Sequence, residues 1–408
     1  MFQHHAKTNT PTLSRRHALA LAAASLALPT WAQSPTAWSE IERTARGQTV
    51  YFNGWGGGDA INAYIQWAAE QALQRFGVQV QHVKVSDAGD VVKRVRNEKA
   101  AGKFTNGTVD MVWINGENFL SMKQGGLLMG PFAERLPAYA YVDVKGKPTT
   151  RIDFSEPVDG MEAPWGMAQL TFFVDRQRVP EPPRSMAELL AFAKAHPGRV
   201  TYPRPPNFHG TTFLKQALLE LHTDRAPLYQ PVTSEALTRM TAPLWAYLDA
   251  LHPHLWRAGR QFPQNVAAVQ QMMADGELLL AFTFNPNEPA NEIAANRLAP
   301  SVYSYQFNSG TIGNTHFLAI PFNARAKEGA QVFINFLLGA EAQARKADIA
   351  VWGDPTVLAV NRLPAAERAR FAAKPQPGQV EVSAPAIPEP HGSWVDPVEK
   401  EWIRRYGV

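Results

Sequence analysis

The stretch that decides the fold is Thr49–Tyr64, which reads TVYFNGWGGGDAINAY. Thr49–Asn53 has the β-branched and aromatic content of a short strand. Gly54–Gly58 is rich in glycine and predicts a turn. Asp59 opens a segment whose apolar residues recur at helical spacing as far as Phe76. A strand, a turn and an amphipathic helix in succession predict a strand–helix unit of a parallel sheet.

The same alternation continues along the chain and predicts an α/β fold. Further strands are expected at residues 78–85, 109–114, 169–174, 199–202, 277–284 and 315–320. Further helices are expected at residues 90–101, 117–124, 185–195, 210–221, 264–274 and 329–344. The proline-rich residues 374–397 predict an ordered tail on the surface, pinned by Trp394 and Trp402, with a disordered tail as the alternative.

The N-terminus has the features of an export signal. Lys7, Arg15 and Arg16 are followed by the apolar run Ala18–Leu28, which is too short to span a bilayer. A Thr-x-Ala sequence ending at residue 32 supplies the small residues of a cleavage site. Residues 1–32 are therefore predicted to be a signal peptide, with a buried N-terminal helix as the alternative. The pair Arg15 and Arg16 favours the twin-arginine route over the general secretory one.

Charge and cysteine content narrow the class of protein. The chain has 40 basic and 36 acidic residues, and removal of residues 1–32 leaves 37 basic residues against 36 acidic ones. A nearly neutral mature chain gives no support to a nucleic-acid partner. With no cysteine there is no disulfide, no thiolate metal site and no lipid-anchored N-terminus. These features favour a periplasmic protein. Its roughly 376 mature residues exceed what one hydrophobic core usually serves, which predicts two domains.

Four phrases carry a family resemblance. They are YFNGWGGGDAINAY at residues 51–64, DMVWINGEN at 110–118, PWGMAQL at 164–170 and WIRRYG at 402–407. The chain resembles the YnjB-type substrate-binding proteins of ABC importers over nearly all of its mature length. The resemblance implies a type II periplasmic binding fold, with two α/β lobes of mainly parallel sheets and a hinge of two crossover strands. The expected lobes are residues 33–165 with 312–408, and residues 166–311.

Four loops and one hinge position are the candidate ligand site. In open parallel sheets ligands bind beyond the carboxyl ends of the strands, near helix N-termini. These positions offer tryptophan faces, amides and carboxylates, a mixture that suits a polar, cationic or aromatic solute such as a thiamine- or amine-like compound. The glycine turn would equally suit a phosphate or carboxylate. The candidate residues are Asn53, Trp55, Gly56, Gly57, Asp59, Trp113, Asn115, Glu117, Asn118, Trp165, Asn207, His209, Thr211, Asn285, Asn287 and Glu288.

Several candidates have a structural alternative. Asp59 is expected to cap the helix that follows the glycine turn, while Trp55 is favoured as a stacking platform. Asn115 or Glu117 could cap the helix after the third strand. His209 is more often a local hydrogen-bonding group than a ligand contact. Trp165 could close one wall of the site or pack at the hinge.

The sequence therefore predicts a binding protein that works without catalysis, cofactor or metal. Nucleophile-elbow, zinc-helix and phosphate-loop motifs are absent. The expected partners are a small-molecule ligand and the permease subunits of an ABC importer with their cytoplasmic ATPase, and the protein is expected to be a monomer. Two alternatives stay open: a secreted hydrolase using Asp153, Glu156 or Glu162 as acid and base, and a ligand-sensing partner of a membrane receptor.

Overall fold

The structure is a computed structural model that describes residues 1–2, 37–372, 376–380 and 384–407. The predicted signal peptide lies outside these residues, apart from Met1 and Phe2. Trp38–Val408 form one compact unit, which holds the helices and strands described below. No helix within the described residues combines the length and the apolar character needed to cross a bilayer.

Helices outnumber strands in the described chain. The α-helices are α1 Trp38–Ala45, α2 Asp59–Phe76, α3 Ala88–Ala100, α4 Glu117–Gln124, α5 Met186–Ala195, α6 Phe208–Glu220, α7 Ser234–Leu251, α8 Val266–Ala274, α9 Glu288–Ala294, α10 Lys327–Leu338, α11 Ala340–Ala347, α12 Ala365–Arg368 and α13 Val395–Tyr406. The strands are β1 Thr49–Trp55, β2 Gln79–Val85, β3 Met111–Ile114, β4 Ile152–Asp153, β5 Glu156–Pro157, β6 Glu162–Gln169, β7 Thr171–Asp175, β8 Leu280–Thr283, β9 Val302–Tyr305, β10 Thr311–Ala319 and β11 Ala386–Ile387.

The first sheet is built around the predicted strand–helix units. Its order is β11–β10–β3–β1–β2, with β6 also paired to β10. β1 runs parallel to β2 and to β3, and β10 runs antiparallel to β3. Helices cover this sheet because the central strands are apolar, as the buried Phe52 of β1 and Met111 of β3 show, whereas the edge strand β2 is partly exposed. The expected parallel sheet with helices is confirmed here.

Two strands connect the first sheet to a second one. β6 and β10 pair antiparallel from Gly313↔Gln169 to Ala319↔Glu162. β6 continues into β7 after Leu170, and the chain leaves β9 to enter β10. The pair matches the two crossover strands that the resemblance implies. The second sheet, of order β8–β7–β9, differs from the expectation because its pairs are antiparallel. The strand–helix alternation does not encode strand direction where long connections intervene.

The C-terminal segment, residues 384–407, packs mainly with the second sheet. Trp394 and Trp402 are almost fully buried in the same apolar cluster as Phe172 of β7 and Leu214 of α6. The Trp402 indole N–H donates to the Tyr202 hydroxyl at 2.8 Å. The predicted pinning by two tryptophans is therefore confirmed. The segment also holds β11, which pairs with β10 of the first sheet. The predicted lobes, residues 33–165 with 312–408 and residues 166–311, stay a prediction.

Two predicted elements need correction, and the sequence pattern misses one long helix. The helix expected at 329–344 is two helices, α10 and α11, because Gly339 adopts an extended backbone between them. Residues 199–202 form no strand, although the Arg199 carbonyl accepts from the Leu279 N–H and the Val200 carbonyl from the Trp256 N–H. The 18-residue helix α7 was not predicted, and it contains Pro243.

Candidate functional site

The candidate loops of the two sheets come close to each other at the loop that holds Trp352 and Gly353. The Asn285 and Asn291 side-chain amides donate to the Trp352 carbonyl at 3.2 and 2.6 Å, and the Asn287 amide donates to the Gly353 carbonyl at 2.6 Å. Asn285 and Asn287 were predicted to face a ligand. In the structure each of these amide groups donates to a backbone carbonyl, which connects the loop after β8 to the chain after α11. Their contact with a ligand stays a prediction.

The last residue of β1, just before the glycine turn, presents an indole ring to solvent. Trp55 is 39 % exposed, and Gly57 lies against its ring so closely that a Cβ there would be 2.4 Å from the nearest ring atom. The Gly56 N–H donates to the Val85 carbonyl, which leaves that donor unavailable to a ligand. Asn53 is buried, and its amide donates to the Tyr51 carbonyl. Among the candidate ligand contacts in this region, Trp55 is therefore the one whose exposed ring can stack on a ligand.

The expected cap at Asp59 is wrong. Gly58 occupies the N-cap position of α2, and no side chain caps the helix. Asp59 is the first helical residue and is exposed, a position where the helix dipole favours a carboxylate. Arg297 donates hydrogen bonds to the Glu292 carboxylate, and these bonds, with a smaller contribution from the charge of Asp59, raise the pKa of Arg297. Asp59 therefore lies close enough to the region after α9 for the two to interact electrostatically.

The start of α4 also differs from the expectation. Gly116 is the N-cap, at φ 65° and ψ −133°, a conformation open to glycine because it lacks a Cβ. Neither Asn115 nor Glu117 caps the helix, and the Gly116 N–H donates to the Asp153 carboxylate at 2.6 Å. Glu117 is half-buried, and burial raises the pKa of its carboxyl group. Its Oε1 accepts from the Asn118 amide at 3.2 Å, while Asn115 is half-buried.

The two remaining tryptophans pack inside the first sheet. Trp165 is fully buried, and its ring centroid lies 5.0 Å from that of Trp113 and 5.4 Å from that of Trp352. The buried Lys346–Asp354 ion pair lies beside this cluster, with the Lys346 ammonium 5.4 Å from the Trp352 ring centroid. Of the two roles considered for Trp165, the structure shows packing at the crossover strands.

The loop before α6 is a helix cap. The Asn207 carbonyl oxygen of the side chain accepts from the His209 N–H at 3.1 Å. Burial lowers the pKa of His209 to about 4, so its imidazole is neutral at pH 7. Thr211 is buried and donates from its hydroxyl to the Glu399 carboxylate at 2.5 Å. Thr211 therefore connects the predicted site to the C-terminal segment.

Glu288 follows β8 and is half-buried. It accepts hydrogen bonds from the Thr283 hydroxyl and, at 3.0 Å, from the Gln270 amide. Burial nevertheless raises the pKa of Glu288. Arg297 is the cation whose charge acts on Glu288, and it already donates to Glu292, so a positively charged ligand would stabilise the Glu288 carboxylate further.

Sequence reasoning missed a charged cluster beside these loops. Lys215 of α6 is buried, and its ammonium lies 2.7 Å from the Glu389 carboxylate and 4.1 Å from the Phe154 ring centroid. The Asn314 amide of β10 donates to Glu389 at 3.1 Å. A lysine inside the apolar run TTFLKQALLE was the available signal. Local sequence gives no signal for Glu389, because this residue lies 174 positions from Lys215 in a proline-rich tail.

A metal centre finds no support in this geometry. In residues 37–372, 376–380 and 384–407, no three acidic or histidine side chains are grouped so that they could hold a metal ion. The site instead combines exposed and buried aromatic rings, amides and half-buried carboxylates between two connected sheets. That combination defines the class of a two-lobed α/β protein that binds a small solute.

Comparison with known proteins identifies the family. Residues 66–372 match the family described as bacterial extracellular solute-binding protein. The chain is also 47 % identical over 371 residues to the protein YnjB of Escherichia coli (strain K12), covering 91 % of this chain and 94 % of that protein. The chain belongs to the bacterial extracellular solute-binding protein family, and it is a substrate-binding component of an ABC transporter, not an enzyme.

Solved structures show the same fold at low sequence identity. The periplasmic binding protein AfuA from Actinobacillus pleuropneumoniae, solved with fructose-6-phosphate, is 14 % identical with a TM-score of 0.62 and covers 88 % of this chain and 99 % of its own. The spermidine/putrescine-binding protein PotD from Streptococcus pneumoniae is 15 % identical with a TM-score of 0.53, covering 79 % and 87 %. These matches confirm the type II periplasmic binding fold.

Proposed function

We propose that this chain works in the periplasm and captures a small organic cation, thiamine- or amine-like, between its two lobes. The observation that carries the proposal is the pair Glu117 and Glu288, one after β3 and one after β8. Both are half-buried, and burial raises the pKa of both carboxyl groups. A cationic solute bound between them would offset the cost of burying their charge.

Trp55 supplies a second element of cation recognition. Its ring is 39 % exposed and is held by contact with Gly57. An aromatic face attracts a cation by roughly 0.5–2 kcal/mol, depending on how dry the contact is. Asp59, on the same turn, adds a further negative charge at the first turn of α2. These features support a cation over a phosphate or carboxylate ligand.

The proposed mechanism is hinge closure about the crossover strands β6 and β10. In this proposal the lobes are residues 33–165 with 312–408, and residues 166–311. The asparagine contacts to Trp352 and Gly353 hold the lobes together. The closed, loaded form docks on a membrane permease that a cytoplasmic ATPase drives.

Export completes the proposal. Residues 1–32 are removed as a signal peptide, and the pair Arg15 and Arg16 favours the twin-arginine route. The mature protein then begins at Gln33. N-terminal sequencing of the protein recovered from a periplasmic extract checks this step, and an intact N-terminus would contradict it.

A thermal-shift screen tests the ligand class. The mature protein is screened with thiamine and its phosphates, polyamines, sugars, amino acids and phosphonates. A ligand at 100 times its Kd adds about 2.7 kcal/mol to the free energy of unfolding, and each kcal/mol raises Tm by roughly 2–4 °C for a domain of 150–250 residues. We expect shifts with cations, and smaller shifts with Glu117→Gln. The control is Glu181→Gln, at an exposed loop position. Shifts confined to anions or sugars would contradict the proposal.

A further inference from the structure

Lys215 lies where three parts of the chain meet. It extends from α6, its ammonium is 4.1 Å from the ring centroid of Phe154 in the β4–β5 turn, and it pairs at 2.7 Å with Glu389 of the C-terminal segment. The segment also contacts this turn directly, because the Ser155 hydroxyl donates to the Glu389 carbonyl at 2.9 Å. The β4–β5 turn and the C-terminal segment therefore both contact one buried ammonium group, which α6 supplies.

The turn itself is held in a strained conformation. Phe154 and Ser155 both have positive φ, 42° and 66°. A left-handed backbone costs a non-glycine residue roughly 1–2 kcal/mol, so its surroundings must impose it. Here the Gly392 N–H donates to the Phe154 carbonyl at 3.2 Å, and the Phe154 ring lies against Gly116. The C-terminal segment thus fixes the aromatic ring that lies beside Lys215.

Carboxylates outnumber the cation in this cluster. Glu389 is neutralised by its contact with Lys215. Glu117, Asp153 and Glu399 also lie within electrostatic reach of Lys215, but none of them has an ion pair of its own in the described residues. Burial is the main cause that raises the pKa of each of these three carboxyl groups, to about 7 for Glu399. Lys215 is the cation whose charge acts on all three carboxyl groups, and it is already paired with Glu389.

Two buried oxygens in the cluster have no hydrogen-bond donor. They are Oδ1 of Asp153, which is 1 % exposed, and Oδ1 of Asn314, which is 3 % exposed and whose amide already donates to Glu389. Buried acceptors are normally satisfied, so these oxygens indicate a donor that enters with a ligand. The described side chains are not grouped to hold a metal ion, which favours an organic cation whose donors reach separate carboxylates.

We propose that Glu117, Asp153 and Glu399, with Asn314, bind the ammonium or other cationic group of the solute, so that the C-terminal segment forms part of the ligand site. The inference deepens the proposed function and rests on it. In this site Glu117 and Glu399 are half-buried and form the open side, while Asp153 and Glu389 are buried at its base. Thr211 orients Glu399 through its hydroxyl.

Isothermal titration calorimetry on the mature protein tests the proposal. The probes are 1,4-diaminobutane and thiamine, and 1,4-butanediol is the uncharged analogue of the diamine. The variant is Glu399→Gln, which keeps the shape and removes the charge. Its control is Glu401→Gln on the same helix, because Glu401 is half-buried and pairs with Arg404 and Arg405. Hydrogen bonds to charged groups contribute enough binding free energy that we expect Kd for a cation to rise about tenfold or more in Glu399→Gln. In Glu401→Gln we expect Kd to change less than about twofold.

The outcomes separate this inference from the proposed function. Equal Kd values for Glu399→Gln and Glu401→Gln, with cation binding intact in the wild type, would overturn the role of the C-terminal segment and leave the proposed function standing. Binding of 1,4-butanediol as tight as that of the diamine would overturn the recognition of charge. A wild-type protein that binds neither cation would overturn both proposals. Urea unfolding of Glu399→Gln checks that the variant is folded during the titration.

Discussion

At the residue scale, the molecule buries more charge than its sequence pattern indicates. Lys215, Glu389, Lys346 and Asp354 are all buried, in two ion pairs. A buried pair is costly to form and still more costly to break, because the remaining partner becomes an uncompensated charge. Local sequence predicted the glycine turn and Trp55, since their signals lie within a few residues. It could not predict the partners of Lys215, which come from distant segments.

Removing Lys215 tests whether its ion pair with Glu389 stabilises the fold. Lys215→Met leaves Glu389 buried without its cation, and we expect the free energy of unfolding to fall by about 3–5 kcal/mol. The double variant Lys215→Met with Glu389→Gln removes both charges and should recover much of the loss. Urea denaturation followed by circular dichroism measures both. Equal stability of the single and double variants would show that an unpaired Glu389 does not cause the loss in the free energy of unfolding.

The Glu399 carboxyl group predicts a dependence of stability on pH. Burial raises its pKa from 4.5 in the unfolded chain to about 7 in the folded one, so the folded state binds this proton more tightly. The resulting stabilisation is complete below pH 4.5 and is lost as the pH rises through about 7. Glu399→Gln should therefore gain stability relative to the wild type between pH 5 and pH 8. A difference that stays constant across this range in urea titrations would contradict the assignment.

At the element scale, helices with clear limits were predictable and strand directions were not. The bounds of α2 follow from the glycine turn before Asp59 and from Gly77, which has φ 67° and ends the helix. The sequence pattern predicts α10 and α11 as a single helix, because the apolar pattern continues through Gly339. The antiparallel order β8–β7–β9 depends on tertiary pairing between segments more than 100 residues apart, for which local patterns carry no signal.

The N-terminus of α4 offers a test of local packing. Gly116→Ala places a Cβ 2.6 Å from the Phe154 ring at a residue with φ +65°. The matched control is Gly102→Ala, where φ is +76° and no atom lies within 4 Å of the added Cβ. Both variants carry backbone strain, but only the first adds a steric clash, so it should lose roughly 1–3 kcal/mol more. Equal losses in thermal unfolding would show that Phe154 can move away freely.

At the scale of the whole molecule, the two sheets are joined by β6 and β10 and by contacts between the candidate loops. Asn287 and Asn291 bind the backbone of Gly353 and Trp352. These hydrogen bonds have no counterpart in local sequence, because they depend on how the two sheets approach each other. They give the proposed closed form a set of contacts that can be removed without altering either core.

Asn287→Ala combined with Asn291→Ala should shift the protein towards an open form. Each amide–carbonyl bond contributes roughly 0.5–1.5 kcal/mol, so losing two changes the ratio of closed to open molecules by about fivefold to a hundredfold. Small-angle scattering of the ligand-free protein should then give a larger radius of gyration. The control is Asn97→Ala on the exposed face of α3. Identical profiles for the variant and the wild type would contradict closure through this contact.

The central claim is that the protein carries an organic cation, and native mass spectrometry tests it most directly. The mature protein is incubated at pH 7 with the nutrient mixture, separated from free solute and weighed with its ligand. We expect one retained cation per chain, released chemically unchanged. Retention of an anion or a sugar, or release of a cleaved product, would contradict it.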